Sequence, residues 1–258
     1  MRIAQKIITS FFIIFIAPCS LANTFGSGNR DFAIFFDYSS IEDLSYCPRS
    51  GAMRCVLGAI KPNETLYLLS SKNSDVCLAK TEKSFQSEWD SGSFPLTKIN
   101  LSSCPNQSFE VAFKNKAVPT YKKLAGLPSP SALMADKIDT GIRKKSSSFE
   151  PSSPVHQFQL SSEKPRIIRL PNTNKDVYIA IYENSITPGD QVHFFYTTNK
   201  IKLIHSASNI KTIFSLNNET YIHYSYTCRI GCGFGGDIII KFSNSDFKTV
   251  LFDASTSS

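Results

Sequence analysis

From Asp31 to Asp253 the chain repeats one pattern: a short run of β-branched, aliphatic or aromatic residues, then a few residues rich in Asn, Gly, Pro or Ser. The N-terminal runs are DFAIFFDY, MRCVLGAI, ETLYLLSS, DVCLAKTE, LTKINLSS and SFEVAFKN. The C-terminal runs are HQFQLSS, RIIRLP, DVYIAIYE, QVHFFYTT, KIKLIHSA, IKTIFSL, TYIHYSY, DIIIKFS and KTVLFD. Branching at Cβ crowds a helical turn and packs well on a pleated strand. Runs at this spacing predict an all-β fold of antiparallel meander sheets, arranged as a barrel, a sandwich or propeller-like.

One segment breaks the pattern. Residues 127–154, LPSPSALMADKIDTGIRKKSSSFEPSSP, have the Ser, Pro and charge of a linker. Within it Ser131 is placed to cap one short helix over residues 132–139, with Gly141 just beyond its end. The expected organisation is a β domain over 23–126, the linker, and a second β-meander domain over 155–258.

The N-terminus, MRIAQKIITSFFIIFIAPCSLA, has the three parts of a secretory signal peptide: basic Arg2 and Lys6, an apolar run, and small residues at Ser20 and Ala22. Cleavage is expected after Ala22, leaving a periplasmic or extracellular protein. The apolar run falls short of the roughly 20 residues of a membrane span, and no later segment offers one. Cys19 raises a lipoprotein alternative, but Pro18 stands where such signals carry a small residue. Cleavage removes two of 28 basic residues and none of 21 acidic ones, so formal charge falls from +7 to +5. The remaining basic residues are scattered, apart from Lys122-Lys123 and Arg143-Lys144-Lys145. Nucleic-acid binding, which uses a continuous basic stripe with interleaved aromatics, is not expected.

The signal also takes Cys19 and leaves Cys47, Cys55, Cys77, Cys104, Cys228 and Cys232. An even count in an exported chain reads as a disulfide framework whose pairing the sequence cannot select. Joining neighbours gives Cys47–Cys55, Cys77–Cys104 and Cys228–Cys232. The last closes the shortest loop and contributes least by chain entropy, about 2 kcal/mol against about 3.5 for Cys77–Cys104. Its role is then local shape.

That pair lies in YTCRIGCGFGGD, between the strands TYIHYSY and DIIIKFS, so it occupies a hairpin connection. A phosphate loop has its glycines at the start of a helix, and a redox pair sits at a helix N-terminus. Neither context is present. The Cys-x3-Cys spacing resembles that of copper-delivery proteins of thioredoxin fold, which carry it on a βα turn. A soft metal held by Cys228, Cys232 and His223 is therefore the alternative to a structural staple. On the structural reading, glycines supply the positive φ of a bulged turn, and the rigid loop presents Arg229, Ile230, Gly231 and Phe234 to a protein or cell-envelope partner. Little entropy then remains to be lost on binding. The layout of CRIGCGFGGDIIIKFSNSDFKTVLF is similar to the end of periplasmic lysozyme inhibitors of the Ivy type, in which a Cys-bounded loop blocks the enzyme. Those loops carry a histidine, whereas this one has Arg229, Ile230 and Gly231, so the inhibitory contact does not carry over.

The other histidines are His156, His193 and His205. A two-residue loop at Thr198-Asn199 would put His193 and His205 on opposite faces; a three-residue loop would place them across from one another, as a metal pair requires. Ser161-Ser162-Glu163-Lys164 has the Ser-x-x-Lys spacing of penicillin-binding enzymes without their helix or Lys-Thr-Gly. Glu88 and Asp90 flank Trp89, the only tryptophan, an arrangement that also occurs at sugar-binding edges. Asn63, Asn100, Asn106 and Asn218 are glycosylation acceptors by pattern only. No cofactor is expected and no catalytic constellation emerges. The expectation is a binding protein, with a metal or thiol-redox protein as the alternative.

Overall fold

A computed structural model of the chain describes residues 31–35, 53–57, 60–89, 92–104, 108–151, 157–173, 175–227 and 234–256. The chain is mainly antiparallel β, as its sequence pattern predicts. Six strands close a barrel: β1 (Phe32–Phe35), β2 (Met53–Leu57), β3 (Thr65–Ser70), β4 (Val76–Trp89), β5 (Gly92–Asn100) and β6 (Phe109–Phe113), in the order β1-β2-β5-β4-β3-β6. After β7 (Tyr121–Lys123) and the helix α1 (Ala132–Lys145) comes a meander of β8 (Arg166–Arg169), β9 (Tyr178–Glu183), β10 (Gln191–Thr197), β11 (Lys200–Leu216), β12 (Glu219–Thr227), β13 (Phe234–Phe242) and β14 (Phe247–Thr256). These seven pair in sequence order, and β7 joins them as the eighth strand by pairing with β11. Tight turns follow the expected chemistry: Asn217 and Asn218, both at positive φ, connect β11 to β12 in two residues.

Burial explains why several strands are apolar throughout instead of alternating. Ile238, Ile239 and Ile240 are consecutive and all buried. Ile239 packs with the barrel residues Phe32, Ile34 and Val111, whereas Ile238 and Ile240 pack with Ile179, Phe195 and Ile222 inside the meander. Both faces of the sheet are therefore covered. The meander is also curled. Phe195 on β10 and Phe242 on β13 are three strands apart, about 14 Å in a flat sheet, yet their ring centroids lie 6.2 Å apart. Barrel and meander share one apolar core through Phe32, which stacks on Phe113 and on Tyr221 of β12. The Tyr121 hydroxyl adds a hydrogen bond to the Ser70 carbonyl at 2.7 Å.

Within the segment expected as a linker, the helix α1 packs against the meander. Ser131 caps α1 as its position implies, accepting from the Met134 amide at 3.4 Å. The helix does not stop before Gly141, however, but runs to Lys145. Ile138 and Ile142, one turn apart, are fully buried against Tyr178, Ala180 and Phe194, and this burial carries the helix through the glycine. Arg143 then fixes its end, donating to Asp139 and to the carbonyls of Ser161 and Glu163, each at 2.8 Å. Those carbonyls belong to the Ser-x-x-Lys segment, which forms a bend and no helix.

Further departures concern the strands. KIKLIHSA and IKTIFSL form one long strand, β11, with register shifts along it. HQFQLSS contributes only the bridge Leu160↔Asn184. Cys77 and Cys104 are disulfide-bonded as expected. Cys55 is also in a disulfide, and its partner lies outside the described residues, as do Cys47, Cys228 and Cys232.

Candidate functional site

The hairpin singled out from the sequence is built by β12 and β13. They pair without a register shift from Thr220↔Phe242 to Thr227↔Gly235. Cys228, Arg229, Ile230, Gly231 and Cys232 lie beyond this ladder and outside the described residues. Phe234 opens β13 and pairs with Thr256 of β14. The ends of the connection are thus set by the continuous β12–β13 ladder, with β14 pairing along the other edge of β13.

Beneath it lies a cluster of charges. The His223 ring, buried, donates from Nε2 to Asp237 Oδ1 at 2.7 Å. Lys211 Nζ reaches the same oxygen at 2.8 Å, and Glu110 of the barrel approaches His223 Nδ1 at 3.6 Å. Burial alone would discharge the ring, but the Asp237 hydrogen bond and the Glu110 carboxylate outweigh it and hold the His223 pKa above its usual value. Burial likewise opposes ionisation of Asp237 and Glu110, yet His223 and the neighbouring lysines hold both carboxyls below their usual range. Among the described residues His223 Nδ1, Glu110 Oε2 and Thr212 Oγ1 have no hydrogen-bond partner. Glu110 and Thr212 border a cavity of about 10 Å³, the size of a single water, at the barrel–meander seam.

This geometry bears on the metal alternative. Both nitrogens of His223 face carboxylates. Its two candidate thiolate partners, Cys228 and Cys232, lie outside the described residues. Among the described residues no group of three His, Cys, Asp or Glu is arranged to hold a metal.

The second histidine pair corrects its expectation. The β10–β11 loop has two residues, since Thr197 pairs with Lys200, and by that count His193 and His205 should face apart. A bulge between Phe194 and His193 shifts the register by one, so that His193 pairs directly with His205. They do not form an open metal pair. His193 Nε2 donates to Gln191 Oε1 at 3.2 Å, its Nδ1 accepts from the Ser208 hydroxyl at 3.0 Å, and His205 Nδ1 accepts from the Ala207 amide at 3.2 Å. Burial, with His205 nearby, pushes the His193 pKa down to about 3 and keeps the ring neutral. The Tyr224 ring packs against it at 4.9 Å.

Trp89 ends β4 and pairs with Gly92 across a hairpin turn, while Asp90 and His156 lie outside the described residues. Sequence reasoning singled out His223, as a metal ligand, and Asp237 only as the end of the loop; it missed their pairing and the parts played by Glu110, Lys211 and Thr212. A lone acid inside the apolar run FEVAF is the legible signal for Glu110; its partner is not legible. No protein-family model matches the chain, and neither a curated protein nor a solved structure matches it.

Proposed function

We propose that this is an exported binding protein whose β12–β13 hairpin presents residues 228–237 to a protein or cell-envelope partner. The observation that carries the reading is the anchorage of that hairpin. An unbroken ladder reaches Gly235, and Asp237, at the foot of the connection, is tied to His223 and Lys211. Fixing both ends of a short loop limits the entropy it loses on docking. Export rests on the tripartite N-terminus and the even cysteine count of the mature chain.

The test is affinity capture from a cell-envelope extract, with wild type beside a variant carrying Arg229→Ala and Ile230→Ala. A partner retained by wild type and lost by the variant supports the reading. A partner held equally by both rejects the hairpin as the contact surface.

A further inference from the structure

A groove of about 700 Å³ runs between α1 and the β10–β11 hairpin, away from the candidate loop. One stripe of α1 forms a wall: Leu133, Lys137, Gly141 and Lys145 recur every four residues and so share a face. Tyr196 and Ile201 supply the floor. A Cβ added at Gly141 would stand 3.5 Å from Ile201 Cδ1 and 3.8 Å from Tyr196 Cε2. The bare glycine leaves free the space beside those two largely buried side chains that a larger residue would fill. At its end Leu133 is 83% exposed, an unusual state for a large aliphatic residue on a helix whose isoleucines are fully buried.

The charges around the trough are unbalanced. Asp136 is engaged by Lys164 and Lys200 by Asp246. Among the described residues no carboxylate pairs with Lys137 or Lys145. These two lysines stand on either side of Gly141, about 12 Å apart along the axis, with stems long enough to reach inward. Volume, an apolar floor and cations on the rim without a carboxylate partner among the described residues are the ingredients of a small-molecule site.

We propose that the groove binds an anionic amphiphile: a free small molecule that lays an acyl chain or ring along Tyr196 and Ile201 and presents a carboxylate, phosphate or sulfate to Lys137 and Lys145. The site is independent of the hairpin, so either proposal can fail alone.

The experiment is a fluorescence titration of the mature protein with a dansyl-labelled undecanoic acid, beside its uncharged methyl ester. The acid is expected to bind saturably with one equivalent, and more tightly than the ester. Replacing Lys137 and Lys145 together by Ala should weaken the acid about five- to tenfold and leave the ester unchanged. Gly141→Leu, which fills the trough, should exclude both probes. Absence of saturable binding, equal affinity for acid and ester, or an unaltered affinity in the double lysine variant would overturn the proposal. Both lysines are exposed on the helix, so that variant decides the matter even if Gly141→Leu does not fold.

Discussion

His223 carries more of the local electrostatics than any other side chain near the hairpin. It stands between carboxylates contributed by two different β layers, and removing it takes away the buried cation partner that Asp237 and Glu110 share. His223→Leu is expected to destabilise the protein by about 3 kcal/mol, read as a lower urea midpoint at unchanged m-value. The pH dependence has a defined sign. Because the folded pKa is raised, the charged ring contributes fully below the unfolded value of about 6.5, and that contribution is lost as pH rises through the folded value. Wild type should lose stability on the alkaline side with a slope that His223→Leu lacks. His193 behaves in the opposite way. Its pKa is depressed to about 3, so its contribution is present above about 6.5 and fades as pH falls toward 3. Asp237 and Glu110, also depressed, lose theirs only below about pH 4. Between about pH 6.5 and 4, then, His193 dominates among these groups, and His193→Phe should flatten the stability curve in that window. Urea titrations at stepped pH check both slopes.

At the scale of elements, α1 allows a test of what ends a helix. Gly141 lies in its interior at no steric necessity, since an added methyl would meet Ile201 and Tyr196 at ordinary contact distances. Gly141→Ala should stabilise the protein by about 0.5–1 kcal/mol, and Ser131→Ala should cost about 1 through loss of the cap. Thermal unfolding separates the two by sign. In the barrel, Cys77–Cys104 closes β4 onto the end of β5 across a sequence separation of 27. Replacing both cysteines by Ala should cost about 3.5 kcal/mol on the chain-entropy estimate. The helix start was legible because a cap is a local signal. Its end was not, because burial of Ile142 depends on a sheet that forms far along the chain. The β10–β11 register shows the same limit: the two-residue loop could be read, whereas the bulge that brings His193 opposite His205 is fixed only by packing inside the curled meander.

At the scale of the whole molecule, barrel and meander share the core around Phe32, Tyr121, Phe214 and Tyr221. A shared core predicts one cooperative transition. Fluorescence of Trp89, which reports the barrel, and near-ultraviolet dichroism of the meander tyrosines should give coincident urea curves. Phe32→Ala should lower both together, by about 3–4 kcal/mol. Two separated transitions would instead restore a division into independent β domains.

What the sequence determined by itself is the set of local choices. Strands follow β-branched runs, turns follow Asn and Gly, and α1 begins just after its cap Ser131, because each depends on residues close together in the chain. Only the tertiary structure decided that β7 joins the meander, that β11 is one strand with bulges, that residues 132–145 pack as one helix, and that Glu110 meets His223. Each of these depends on long-range register and on burial of both sheet faces, which reward contacts between segments whose own sequences carry no mark of one another.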